Sequence, residues 1–187
     1  MTGTGFLLFD GASHKQALAW LCQTFPGHSP RPLLSGTPYS PLAEIGPILL
    51  NADAGSPLHE AWYRGRSELR HAVWLKSDFA LHELRDALQR RLRILSPDGR
   101  KFWLRLADAR PLLDAWRANA QWPAGFWHGV RDIWLHDEDV PLLAWSNPPP
   151  ERDDSGASEP LDARFTLDWP LLEALAHSET TLQEATT

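Results

Sequence analysis

The sequence predicts an α/β fold: a mixed sheet with helices packed on it, arranged as an N-terminal α/β lobe and a smaller, strand- and loop-rich C-terminal lobe. Three observations lead there. Short apolar runs alternate with segments of helical period through the first two thirds of the chain, and the later segments lean towards strands and loops. Of the 187 residues, 43% are hydrophobic and 22% charged, enough for one sizeable core or two small lobes around a shared one. The single cysteine, Cys22, excludes an intramolecular disulfide framework and a cysteine-built zinc site, so packing must hold the fold.

The apolar run Phe6, Leu7, Leu8 and Phe9, closed by Asp10 and Gly11, predicts a buried strand followed by a turn. Ser13 and Gln16 stand at capping-box spacing, and Leu18, Leu21, Cys22 and Phe25 recur at helical intervals. This predicts an amphipathic helix ended by Pro26 and Gly27, with Cys22 as a small core residue. Segments 32–34 and 48–50, the latter after Gly46 and Pro47, are too short for helices and read as strands. Ser56 before Pro57 is an N-cap with proline at the first helical position, opening a helix that stops at Gly65.

Residues 72–75 make another buried strand. Ser77 or Asp78 opens a longer helix whose Leu81, Leu84, Leu88 and Leu92 form one stripe, with Arg90, Arg91 and Arg93 near its end, where the macrodipole favours positive charge. Ser96, Pro97, Asp98 and Gly99 carry turn chemistry, and 102–106 follows as an alternating strand. Asp108 caps a helix that starts near Pro111 and carries Leu112, Leu113 and Trp116. Strands are expected at 130–135 and 142–145, closing an α/β core over 5–146. Segment 147–160 shifts to Pro, Ser, Asp, Glu and Gly and reads as a flexible loop. A strand at 163–167 and a helix at 170–177 complete the fold within 161–178, before a disordered tail at 179–187.

Charge and motifs exclude several function classes. With 24 acidic and 18 basic residues the formal net charge is -6, which removes the usual electrostatic argument for a nucleic-acid or anionic-membrane partner. No stretch approaches the roughly 18 apolar residues of a bilayer span, and no signal-peptide pattern opens the sequence, so a cytoplasmic location is expected. A glycine-rich phosphate loop, a G-x-S-x-G elbow and an H-E-x-x-H helix are all missing. His128 with His136, Asp137, Glu138 and Asp139 is the nearest approach to a metal set, but consecutive turn residues point in different directions and read as a solvated acidic turn. The expectation is a chain with no catalytic set, metal or cofactor.

Two features point to protein binding. Ten tryptophans beside two tyrosines either fill a loop-rich core or leave apolar surface for a partner. Between Arg64 and Arg117 basic residues outnumber acidic ones, whereas from Asp132 onward only Arg152 and Arg164 answer a long acidic series. Interleaved Arg and Trp also occur in single-stranded nucleic-acid grooves, but an acidic remainder would repel a phosphate backbone and the same composition marks protein-binding hot spots. The candidate binding residues are Arg85, Arg90, Arg91, Trp103, Arg105, Arg110 and Trp116. Asp10, Gly46, Pro47, Asp98, Gly99 and Asp108 are candidate structural residues. Arg105, Asp108 and Arg110 also fit an ion pair and helix cap that hold a turn.

Several motifs occur in a set order: Leu7 to Ala12 with its Asp10-Gly11; Leu34-Ser35-Gly36-Thr37-Pro38-Tyr39; Leu42 to Leu49 with its Gly46-Pro47; and Ser77 with Leu81, Leu84, Arg85 and the Arg90-Arg91 pair. Asp98-Gly99-Arg100, Leu104-Arg105 and Asp108-Ala109-Arg110-Pro111-Leu112 follow. Together, over residues 6–177, this order resembles the type VI secretion effector-adaptor family, bacterial proteins long catalogued as a domain of unknown function. Leu106-Ala107 stands where that family usually has an aromatic pair, and Ala109 where it usually has proline. The resemblance implies a non-catalytic, cytoplasmic loading chaperone. Its partners would be a toxic effector, held by an N-terminal or linker segment, and the VgrG spike on which the effector is placed. The rival expectations are a small cytosolic α/β enzyme of unknown hydrolase type and an inactive structural domain of a larger assembly.

Overall fold

The computed structural model describes residues 3–147, 159 and 161–184. The loop expected over 147–160 falls almost wholly outside them. Strand β1 (Thr4–Asp10) lies at the centre of the main sheet, pairing with β3 (Pro47–Asn51) on one side and β4 (Val73–Ser77) on the other, so that Leu7 stands opposite both Leu50 and Trp74. β2 (Arg31–Pro32) adds outside β3, while β7 (Val130–Asp137) and β8 (Val140–Ser146) extend the sheet beyond β4. The resulting order is β2-β3-β1-β4-β7-β8, and every pair is antiparallel. The fold is the α/β class that the sequence predicts, with β7 and β8 built into the main sheet.

Alternation along each strand sends side chains into two cores. Phe6, Leu8, Leu49, Val73, Leu75 and Ile133 share one core with residues of α3 (Leu81–Gln89), α4 (Ala109–Arg117) and α5 (Trp169–Glu184). Leu7, Phe9, Ile48, Leu50 and Trp74 share the other with α1 (Ala17–Thr24) and α2 (Pro57–Tyr63). Helices therefore cover both faces, and this is why β1 reads as an unbroken apolar run: coverage on both sides leaves no position for a polar residue. Each fully buried Leu or Phe contributes about 1.5–3 kcal/mol relative to exposure, and a charge at Leu7 or Phe6 would break the layer. Two of the buried indoles have their donors satisfied, Trp62 Nε1 by Ala72 O at 3.1 Å and Trp74 Nε1 by Ala52 O at 2.8 Å.

The local expectations hold at several caps and fail at others. Ser56 accepts from His59 N at 3.3 Å ahead of Pro57, as predicted. The capping box at Ser13 and Gln16 does not form: Ser13 Oγ donates to Asp10 O at 2.7 Å in a short 3-10 turn, and Gln16 enters α1 in the left-handed region at φ 53°. That entry rotates the buried stripe onto Ala17, Leu21 and Phe25, and Cys22, expected in the core, is exposed. Neither Ser77 nor Asp78 caps α3. Ser77 ends β4 and donates to Gly129 O at 2.6 Å, while Glu83 Oε2 accepts from Ala80 N at 2.8 Å.

Helix α3 stops at Gln89, short of Leu92, and the chain enters a separate hairpin of β5 (Arg93–Leu95) and β6 (Lys101–Trp103). Gly99, at φ +81°, supplies the left-handed turn residue between them. The expected strand at 163–167 reduces to one parallel bridge, in which Leu95 N donates to Phe165 O at 2.8 Å and Leu167 N to Leu95 O at 2.9 Å. Helix α5 runs to Glu184, into the segment expected as a disordered tail. Among the described residues no helix is long and apolar enough to cross a membrane.

Candidate protein-binding site

The site lies between the segment joining β2 to β3 and the segment joining β6 to α4. The first of these is a chain of tight turns: Thr37 Oγ1 donates to Leu34 O at 2.6 Å, and Ser40 Oγ to Thr37 O at 2.8 Å. Helix α3 props it from below, through Gln89 Nε2 on Leu33 O at 2.7 Å and Arg85 Nη2 on Ser35 O at 2.9 Å. So held, the segment turns Leu42 and Ile45 outward, where both are exposed. Opposite them stand Trp103, Leu104 and Arg105, and the space between is a groove of about 430 Å³ that also takes in Tyr39 and Pro47.

A second groove of about 320 Å³ flanks the same strand, between Phe102 and the Trp169 and Leu172 side chains of α5. Trp103, Leu104 and Arg105 line both grooves. Trp103 is 49% exposed, and its ring meets Tyr39 edge-on at 5.0 Å with the Arg93 guanidinium 5.6 Å from its centroid. With Phe102, Leu42, Ile45 and Trp169 also exposed, this is a contiguous apolar surface with charges at its margins, the composition of a protein-binding patch.

Asp108 closes one end of the first groove. Only 2% exposed, it caps α4 by accepting from Arg110 N at 3.1 Å. It also accepts from Arg110 Nε at 2.9 Å and Nη2 at 2.8 Å, and pairs with Arg105 Nη2 at 2.7 Å. Burial works against its ionisation, but the hydrogen bonds from Arg110 and the charges of Arg110 and Arg105 outweigh it, holding the carboxyl below its ordinary value. Arg105 reaches on to Asp10 at 3.4 Å. Beside it Gly11 N donates to Gly46 O at 2.9 Å, and a Cβ at Gly11 would lie 2.3 Å from Glu44 O. Glycine is required there because the two backbones touch.

The structure thus brings together Asp10, Gly46, Pro47, Trp103, Arg105 and Asp108 around the first groove, with Arg110 bound to Asp108. Arg85 is a support of its wall. Asp98 and Gly99 sit in the β5–β6 turn, where Asp98 accepts from Ser96 Oγ and from Arg100 Nε at 2.9 Å. Trp116 is half-buried on α4, away from either groove.

Arg91 corrects an expectation: it is 1% exposed, and its guanidinium donates to Ala87 O at 2.7 Å, Gly125 O at 3.0 Å and Phe126 O. Arg90 donates to Asp86 O at 3.1 Å on its own helix. The two therefore do not form an exposed basic pair.

The basic middle region is not one patch either. Arg70 pairs with Asp139 at 2.8 Å and Arg117 with Asp137 at 2.5 Å, so carboxylates at the β7–β8 turn neutralise part of it from the acidic end of the chain. Among the described residues of this region Lys76, Arg93 and Lys101 have no ion-pair partner, and the last two belong to the small hairpin. His128 lies against Phe79 and His136 against Trp62, so they do not converge with the acidic turn on one point. Among the described residues no group of three or more His, Cys, Asp or Glu is placed to hold a metal ion.

Sequence reasoning missed Leu42, Ile45, Phe102 and Trp169 as site residues. The available signal was large apolar side chains inside or beside turn-rich segments where no period buries them.

No curated protein and no solved structure matches the chain. A family model does match residues 5–124, a span that contains every residue of the first groove and stops short of α5, which walls the second. The chain accordingly belongs to the family described as Domain of unknown function (DUF4123).

Proposed function

We propose that this protein is a non-catalytic adaptor that binds a type VI secretion effector in the cytoplasm and promotes its loading onto the VgrG spike. The observation that supports this reading is the contiguous apolar surface around Trp103, with a groove on either side and five large apolar side chains exposed in one neighbourhood. A soluble chain that keeps such a patch open gains from having a partner to cover it. The charged groups at its edge fit the same role. Arg105, Asp108 and Arg110 satisfy one another and so shape the groove, while Arg93 and Lys101 are left to meet an acidic partner.

The test is co-expression with a spike protein and a toxin encoded beside it, reading the ternary complex by co-purification. Trp103→Glu and Ile45→Asp place charge in the apolar surface at exposed positions, so the fold should stay intact by circular dichroism. Toxin recovery should fall by at least about tenfold, the equivalent of 1.4 kcal/mol. Wild-type recovery with both folded variants would sink the reading. So would a turnover that survives purification and is abolished at Asp108.

A further inference from the structure

We infer that the partner is held as an added β-strand: an extended, acidic-flanked segment of the partner pairs with the outer edge of β6, and its alternate side chains enter the two grooves. The inference rests on the adaptor reading only for there being a protein partner.

The geometry comes from the hydrogen-bond ladder of the small sheet. Leu104 N donates to Leu92 O at 2.8 Å and Ser96 N to Arg100 O at 2.9 Å. Antiparallel pairs alternate between bonded and non-bonded residues, so Ile94 and Phe102 bond each other, while Arg93, Leu95, Lys101 and Trp103 turn their backbone groups outward. On the β5 side that outward edge is already occupied, because Leu95 bonds Phe165 and Leu167. On the β6 side no described strand follows. The outward N–H and C=O groups of Lys101 and Trp103 form a two-residue template for strand addition.

Three further observations choose the occupant. The edge is flanked by two apolar grooves that share Trp103, Leu104 and Arg105, the second alone taking in Ile94 and Phe102, and the alternate residues of an added strand point to opposite faces with period two. Trp103 and Phe102 mark those faces, both exposed. Arg93 and Lys101, on the same face as Trp103 by the pairing, have no carboxylate partner among the described residues. A segment with apolar residues at its centre and carboxylates at its ends complements all three. The same lysine discourages a second copy of this chain, which would bring like charges together along the shared edge.

The probe is a blocked octapeptide with a valine and leucine centre and glutamate at each end, titrated into the full chain. Two further versions carry N-methyl groups on alternate backbone amides, one on the odd set and one on the even set. Strand addition predicts a dissociation constant below about 1 mM, loss of at least about tenfold for one methylated set and nearly none for the other, since only one set faces β6. It also predicts that the Lys101 and Trp103 amides exchange quickly in the free protein and are protected on binding, and that Lys101→Glu weakens binding most at low salt. No binding at about 1 mM, equal effects of the two methylated sets, or equal binding of a lysine-ended peptide would each overturn strand addition, whatever the toxin co-purification shows. Concentration-dependent dimers that protect the same two amides would instead assign the edge to self-association and overturn the acidic partner.

Discussion

Replacing Arg91 by leucine should unfold the molecule far more readily while leaving no direct mark on the groove. The guanidinium binds three carbonyls, of Ala87, Gly125 and Phe126, and sits 5.0 Å from the Phe165 ring centroid. Ala87 O belongs to the last turn of α3, and Arg91 N bonds Leu88 O at 3.0 Å, so the side chain serves a carbonyl that its own backbone does not. Leucine leaves these acceptors buried, at about 1–3 kcal/mol each. Losing a desolvated cation and retaining some apolar packing offset part of that. The net cost should be about 3–5 kcal/mol, or about 10 °C in melting temperature for a chain of this length. Urea unfolding followed by tryptophan fluorescence measures it. Arg91→Lys, which reaches fewer carbonyls, should fall between. A cost below about 1 kcal/mol for the leucine variant, with an unchanged urea slope, would refute the clamp.

Gly11→Ala should destabilise by about 1–3 kcal/mol, because the added Cβ meets backbone oxygens of Glu44 and Gly46 that have no rotamer to change; a melting temperature within 1 °C of wild type, a shift of less than about 0.5 kcal/mol, would contradict the close approach. Trp103→Ala, at a half-exposed position, should cost only about 1–2 kcal/mol in the same urea assay. Burial pushes the pKa of His136 down from its ordinary 6.5, with Asp139 opposing and Arg70 assisting, and His71 is likewise lowered by burial and by Arg110. Both imidazoles are therefore folded preferentially as the neutral form: their contribution is full above pH 6.5 and is lost as pH falls through the lower folded values. Melting temperature should drop between pH 7 and pH 5, and an unchanged drop in a His136→Phe variant would remove His136 as its source. Asp108 acts in a lower window, contributing above its ordinary 3.8 and losing that contribution as pH falls through its depressed folded value.

What could be read from the sequence was whatever local chemistry decides. β1 announced itself because both its faces are covered, and α2 because Ser56 and Pro57 set its start. Asp108 was legible as a cap, and its pairing with Arg105 and Arg110 followed from short spacing. The failures share one cause, which is that distant segments decide them. Gln16 in the left-handed region resets the phase of α1 and exposes Cys22. The carbonyls that bury Arg91 come from 34 and 35 residues away. The charge excess of the middle region is partly cancelled because the β7–β8 turn folds back onto Arg70 and Arg117. The groove walls were hidden for the same reason: Leu42 and Ile45 follow no period, and only the support of α3 under Leu33 and Ser35 gives them an outward direction.

The strand order carries a consequence for how the chain assembles on the ribosome. Reading β2-β3-β1-β4-β7-β8 in order of synthesis, β1 and β2 emerge first, β3 joins them, β4 adds to the free side of β1, β7 to β4, and β8 to β7. No strand after β3 has to be inserted between two already paired; each finds an open border waiting. N-terminal portions of a chain organise first during translation, and here the nascent sheet can grow outward without ever being reopened. The border left by β4 is long-lived in this scheme, since more than fifty residues separate it from β7. During that interval Trp74 and Leu75 have no strand neighbour on one side, so a ribosome pause before residue 130 should expose the nascent protein to aggregation more than a pause after residue 146.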